Sequence, residues 1–314
     1  MRRICIIFAL AFIVIAGGCS PKRVQNDFSS EQIKDLDNIP YNTRFLIYMN
    51  IEKLRTSSLW KNNLKSSLPG AQSSIWMDKF EKVSGIKLQQ NISEFYAAVT
   101  ENDNNFKLLV LNSNYKKIKN SFLSSDLFNH QTIGNKILLS AKDEHNYYYF
   151  ITDKLLASSS DSVIIINLMS NKNKKITDNP KFMKAANSIF NKKYYWMASD
   201  DNTYFSDYLK MLSSSEKGMA SELISSVVSF TIAADFKDES RLEFSLGCKD
   251  AKSAFLITSG AKSAISMGLL THNDKALDFM FSKLKIERFE SFVKMNLELT
   301  NEDIIQLQEI NKNK

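Results

Sequence analysis

Three cysteines, four prolines, nine glycines and three histidines are all that 314 residues contain, and each scarcity excludes something. Cys5 and Cys19 fall in the first twenty residues, which leaves Cys248 alone downstream. A lone thiol cannot build an internal disulfide framework, so stability has to come from packing. So few prolines and glycines argue against a turn-dense all-β fold. His130, His145 and His272 have no Cys or His partner at metal-ligand spacing, so no zinc site is expected. The glycines form neither a Gly-x-Ser-x-Gly elbow nor a phosphate-cradling loop. Asn102-Asp103-Asn104-Asn105 offers oxygen ligands but lacks the following Gly and the Glu at the twelfth place of a calcium loop, and reads as a hairpin turn. Ser-x-x-Lys occurs seven times, as at Ser58 with Lys61 and Ser214 with Lys217, without the companion Ser-Asp-Asn and Lys-Thr-Gly signatures. No catalytic residue, cofactor or metal is expected, and the chain reads as a non-enzyme.

The first twenty residues, MRRICIIFALAFIVIAGGCS, carry the strongest signal. Arg2 and Arg3 form a basic head, and Ile4 to Ala16 an apolar run shorter than the roughly 20 residues that span a bilayer. Basic head, short apolar core and small-residue exit are the marks of a secretory signal peptide. The exit Ala16-Gly17-Gly18-Cys19 resembles the lipobox of bacterial lipoproteins, although Leu is commoner where Ala16 stands. The resemblance implies cleavage between Gly18 and Cys19 and a lipid on the Cys19 sulfur, the nucleophile that accepts it. Two or three acyl chains hold a protein on a membrane firmly, whereas one does so marginally. The expected location is therefore the bacterial cell envelope, with membrane contact through the anchor and an envelope protein as partner. Ser20 lacks the acidic character of an inner-membrane retention signal, which favours the outer membrane.

With residues 1–18 removed from 314, 296 remain, enough for two modest domains or one large core. Removing Arg2 and Arg3 from 41 basic residues leaves 39 against 34 acidic, too small an excess to argue for nucleic acid.

Residues 19–40 read as the lipidated cysteine and a flexible tether, with a short helix at Glu31 to Leu36. Past Pro40, Phe45 to Met49 reads as a strand. Helical text follows around Trp60, Leu64, Trp76, Phe80 and Val83. Phe95, Ala97 and Val99 then alternate against Phe106, Leu108 and Val110 as a hairpin, and Asn114 starts a helix bearing Ile118 and Phe122. Strands are expected at Lys136 to Ala141, Tyr147 to Thr152 and Leu155 to Ser159, and a helix or strand over Val163 to Met169. Later come a strand at Tyr194 to Ala198 and helices at Tyr204 to Leu212 and Met219 to Ile224. The clearest hairpin follows, with Phe230, Ile232 and Ala234 opposite Leu242, Phe244, Leu246 and Cys248. Period-two geometry predicts these on the buried face and Glu243 in water. Two helices then lead to a final strand, Val293 to Leu299, and Thr300 with Asp303 resembles a capping box.

Each half therefore runs strand, helix, hairpin, helix, strand, the order of a β-α-β-β-α-β (ferredoxin-like) unit. The expected fold is α+β, in two similar halves at 41–175 and 176–314, joined by a linker near Lys172 to Pro180. The segments IPYNTRFLIYMNIEKLRTSSLW and FEKVSGIKLQQNISEFYAAVTENDNNFKLLVL resemble a loose group of exported bacterial proteins of unknown function. That resemblance implies a fold and a location but no site.

Three roles fit this reading. The first is a non-catalytic protein-binding or structural module. The second is a carrier enclosing an apolar ligand, and the third a hydrolase with a site assembled from distant residues. The aromatic runs Tyr147-Tyr148-Tyr149-Phe150 and Tyr194-Tyr195-Trp196 either expose rings that could grip a ligand or, the favoured reading, fill a second packing layer.

Overall fold

A computed structural model describes residues 28–57, 81–82, 84–142, 144–172, 174–189, 192–203, 225–235, 240–271 and 275–312. The helices expected around Trp60 to Phe80, at Tyr204 to Leu212 and at Met219 to Ile224 lie outside them, as do Cys5, Gly18, Cys19 and His272.

Among the described residues twelve strands form one sheet, and every paired neighbour is antiparallel. The chain opens with α1 (Ser30–Leu36), β1 (Thr43–Asn50) and α2 (Ile51–Thr56), then β2 (Ile92–Thr100), β3 (Asn105–Leu111) and α3 (Tyr115–Ser124). Next come β4 (Phe128–Ile133), β5 (Lys136–Ala141), β6 (Tyr147–Phe150), β7 (Leu155–Ser159), α4 (Ser162–Met169) and α5 (Pro180–Ala186). The remainder is β8 (Tyr195–Ser199), β9 (Val227–Asp235), β10 (Ser240–Cys248), α6 (Ala251–Thr271), α7 (Lys275–Lys283), β11 (Leu284–Phe289), β12 (Phe292–Leu299) and α8 (Asn301–Lys312).

Local chemistry sets several boundaries. Ser29 and Gln32 form a reciprocal capping box at α1. The β-branched run Val163 to Ile166 is helical because Asp161 Oδ1 accepts from the Val163 N–H at 2.8 Å, satisfying one of the helix's free donors. Asp250 Oδ1 does the same for Ser253 N at 2.7 Å at the start of α6. Thr300 and Asp303 exchange bonds of 3.1 and 2.9 Å ahead of α8. Asp103 turns the β2–β3 hairpin with φ of 56°, a left-handed conformation that Asp tolerates better than most residues.

The strands lie in the order β11-β12-β10-β9-β8-β1-β2-β3-β7-β6-β5-β4. From β1 the chain meanders outward through β2 and β3 and crosses by α3 to the edge at β4. It then returns through β5 and β6 to lay β7 beside β3. From β8 it meanders through β9 and β10, crosses by α6 and α7 to the other edge at β11, and returns to lay β12 beside β10. β1 and β8 meet in the middle.

A ferredoxin-like unit also has an antiparallel sheet, but it places another strand between the first two in the chain. Here β1 lies directly beside β2, and β8 beside β9, so the strand order does not bear out two ferredoxin-like halves. Successive strands pair in chain order instead, the arrangement with the shortest loops to close. Leu284 begins β11 directly after the last residue of α7.

Both faces of the sheet are covered. On one face Leu46, Tyr48, Tyr96, Leu108, Ala157 and Trp196 form a core with residues of α1, α4 and α5. On the other, Phe122 of α3 packs with Phe128 and Tyr148, and Ala254 of α6 packs with Phe230, Leu246, Cys248 and Val293. The tether expected up to residue 40 ends earlier. Leu36 and Ile39 lie in the first core, where their burial outweighs freedom of that segment. The stretch expected as a linker is packed too. Lys175 bridges to Pro40, and Ile176 is buried beneath.

Candidate functional site

Two polar clusters lie on the face of the sheet that carries Tyr48 and Trp196. The first joins β1, β2 and α1. Tyr48 Oη donates to Glu94 Oε2 at 3.1 Å, and Asn50 Nδ2 donates to Glu94 Oε1 at 3.1 Å. Tyr96 Oη donates to Asp35 Oδ2 at 3.3 Å, and Gln32 Nε2 to the Lys192 carbonyl at 2.8 Å. Tyr48 and Tyr96 stand on paired strands with rings 4.9 Å apart, which places the two carboxylates in one neighbourhood. Burial raises both carboxyl pKa values, and the charge of Glu94 adds to the effect on Asp35, which is pushed up to about 6. Burial also raises both phenols, so at neutral pH they stay protonated and act as donors. The outer end of α1 is held separately. Lys175 Nζ and Thr177 Oγ1 reach Asp37 at 2.8 and 2.6 Å.

This cluster makes folding sensitive to pH. The unfolded chain releases the Asp35 proton near 3.8, whereas the folded chain keeps it to about 6. Between those values the folded state binds more protons, so stability falls as pH rises through the window and the full penalty stands above it. For an enclosed carboxyl the window would be worth about 3 kcal/mol, and screening of this partly solvated group leaves about 1 kcal/mol. Asp35→Asn keeps an acceptor for Tyr96 and is expected to stabilise the protein by about that amount at pH 7, with no gain at pH 3. Urea denaturation at the two pH values measures it. An equal effect at both would show that Asp35 is not protonated on folding.

The second cluster lies across β8, β9, β10 and β12. In register, Trp196 stands beside Ala233, Ala233 beside Glu243, and Glu243 beside Asn296. The next row holds Ala198, Thr231, Ser245 and Lys294. An antiparallel sheet with a polar face ordinarily turns that face to water. Here Thr231, Glu243, Ser245 and Asn296 are each only 1% exposed. The end of α5 accounts for Thr231, which donates to the Ala185 carbonyl at 2.9 Å and accepts from Ser188 Oγ at 3.3 Å. Ser245 Oγ, both side-chain atoms of Asn296 and the indole Nε1 of Trp196 have no hydrogen-bond partner. Each such group costs about 1–3 kcal/mol when buried.

Glu243 thus departs from its expected place in water, and Phe244, expected in the core, is half-buried. Alternation placed these residues on opposite faces correctly, but each face of β10 meets other parts of the chain. Cys248 is buried as its register implies, and burial pushes its thiol up to about 11, far from a reactive thiolate. Tyr148 and Tyr149 are buried on opposite sides of the sheet, and Trp196 is wholly buried, so these rings serve packing. His130 and His145 are exposed. Among the described residues no group of three or more His, Cys, Asp or Glu could hold a metal. No described helix is long and apolar enough to cross a membrane. Ser245 and Asn296 were not anticipated, and nothing in their local pattern separates a covered polar face from a solvated one.

No family model matches the sequence, and no curated protein matches it. Among solved structures, three crystal forms of TP0453, a Treponema protein, resemble the chain. Form I shares 13% identity over 87% of this chain and 96% of that one, with a TM-score of 0.49. Form III shares 11% over 87% and 97%, also at 0.49. Form IV shares 10% over 88% and 96%, at 0.50. At such identity the likeness is one of fold.

Proposed function

We propose that this chain is a lipid-anchored, non-catalytic protein of the bacterial cell envelope whose folded body binds a partner or ligand. The observation that carries it is the run Ala16-Gly17-Gly18-Cys19 directly after a basic head and a short apolar core. Cys19 is the lipid acceptor, Gly18–Cys19 the cleavage site, and the outer membrane the favoured location. A binding role is supported by the covered polar rows on β9, β10 and β12, where buried groups are left without partners. The like paths of β1–β7 and β8–β12 support reading residues 41–175 and 176–314 as two copies of one antiparallel unit.

The anchor has a direct test. Full-length protein is expected to enter the detergent phase on phase partition, and Cys19→Ser to move to the aqueous phase. If the serine variant stays with the detergent, the anchor does not depend on this thiol and the assignment fails.

A further inference from the structure

We propose that β4 is a docking edge for a second copy of this chain, and that the two sheets join there, β4 against β4, across a two-fold axis. The proposal rests on the reading of the chain as lipid-anchored and goes beyond it by naming the partner.

The sheet ends in two edges, and only one of them is guarded. Edge strands ordinarily avoid further pairing through charges, proline, bulges or a cover. β11 carries Lys285, Glu287 and Arg288, and Arg288 reaches back to the Ala251 carbonyl of α6 at 3.4 Å. β4 has no Lys, Arg, Asp, Glu or Pro, and its register with β5 is unbroken. Asn129, His130, Gln131 and Thr132 are all exposed, so neither side of the strand is covered and another strand has room beside it. The Lys136 ammonium at the start of β5 is held by the Met169 carbonyl at the end of α4.

The hydrogen-bond phase of β4 defines which groups are on offer. Leu127 and Lys142 stand opposite one another just ahead of the β4–β5 ladder, and Lys142 N donates to the Leu127 carbonyl at 3.0 Å. Bonded and unbonded pairs alternate along an antiparallel ladder. Counting on from Leu127, Asn129, Gln131 and Ile133 bond to β5, whereas Phe128, His130 and Thr132 aim their N–H and C=O groups outward. The Phe128 N–H already donates to the Ser125 carbonyl at 3.3 Å. His130 and Thr132 therefore present the open donors and acceptors of this edge. A second β4 running antiparallel satisfies all of them when His130 stands opposite Thr132 of the other copy. Gln131 then lies on the two-fold axis and faces its own equivalent, with an amide that both donates and accepts.

The same pairing suits two anchored copies. Residues opposite one another on paired strands share a face of the sheet. Gln131 stands opposite Leu138 of β5, which lies in the core that Phe28 and Leu36 join. The α1 faces of both copies therefore continue on one side of the joined sheet. The segments that lead from Cys19 into α1 enter both copies from that side, so both lipids can sit in one membrane. A single strand pair buries less than the roughly 1,000 Å² of a stable interface. The contact is therefore weak in dilute solution and draws on the high local concentration of a shared membrane.

The test uses full-length protein reconstituted in liposomes of neutral phospholipid. Under mild oxidation Gln131→Cys is expected to form a disulfide-linked dimer about ten times faster than Lys285→Cys, an exposed position on the opposite edge. Energy transfer between two differently labelled populations is expected for the parent. It should vanish for Gln131→Lys alone and for Gln131→Glu alone, and return when these two variants are mixed. Gln131 is exposed, so both variants should melt with the parent. Thr132→Pro removes an outward N–H that no ladder bond uses, and is expected to abolish transfer as well.

Equal disulfide rates at the two edges would mean chance collision and overturn the proposal. So would energy transfer that persists in Gln131→Lys, or that fails to return on mixing with Gln131→Glu. If Thr132→Pro does not fold, the charge pair alone decides. A photo-crosslinker at Gln131 in intact envelopes that captures another protein and never a second copy overturns the choice of partner. Phase partition of Cys19→Ser judges the anchor separately, so a chain that is anchored but does not pair loses only this inference.

Discussion

Replacing Trp196 by alanine is expected to lower stability by about 3–5 kcal/mol, the range for large aromatic truncations in a core. The side chain is wholly buried, stacks on Tyr48 at 5.6 Å with planes 27° apart, and meets the edge of Phe28 at 5.4 Å. It therefore joins β8 to β1 and pins the segment leading into α1. Urea denaturation measures the loss as a lower midpoint at unchanged slope. Trp196→Phe keeps a ring and removes the orphaned indole N–H, so its cost should be far smaller. If alanine and phenylalanine cost the same, ring packing is not what Trp196 contributes.

Gly247→Ala is the second large effect. A Cβ at this position would stand 2.2 Å from Ser229 Oγ and 3.1 Å from the Phe292 ring, and real Cβ atoms do not approach to 2.2 Å. Ser229 is buried, and Phe292 is the cross-strand neighbour of Gly247, so the crowding has little room to relax. Overpacking of this kind costs about 1–3 kcal/mol. Ser229→Ala removes the offending oxygen and leaves that residue's Cβ at 3.5 Å, with only the Phe292 ring at 3.1 Å still tight, so the double variant should recover most of the loss. A double-mutant cycle tests this pairing. Strict additivity would mean the strain lies elsewhere, at the Phe292 ring or in the irregular register after Gly247.

The parts legible beforehand are those where local chemistry and burial agree. The β9–β10 hairpin alternates cleanly because α6 covers one face with apolar side chains. The terminal capping box was readable because both partners lie within four residues. β4 was missed because its residues Asn129 to Thr132 are polar and exposed at the sheet edge, where nothing imposes a period. The sheet order was misjudged for a different reason. Element order along the chain does not say which strands become neighbours, and the same text serves a ferredoxin-like unit or a meander. The polar rows were illegible because Glu243, Ser245 and Asn296 occupy the alternate positions that a one-sided sheet leaves in water. Their burial is a tertiary fact, and so is the Asp35–Glu94 neighbourhood, which pairs a residue of the supposed tether with one of β2.

The central seam has a consequence for how the protein is made. Most pairings in the sheet link segments close in sequence, but β1 and β8 bring Phe45 opposite Ser199, with the whole first half between them. Such distant contacts are slow to form, because their loop must close before they stabilise anything. A chain synthesised from its N-terminus completes β1, β2 and β3 well before β8 exists. Until β8 arrives, β1 presents its unpaired backbone edge with Leu46 and Tyr48 beside it, a template for joining a second chain. The newborn protein is therefore most vulnerable to self-association along the line that is most deeply enclosed once it has folded.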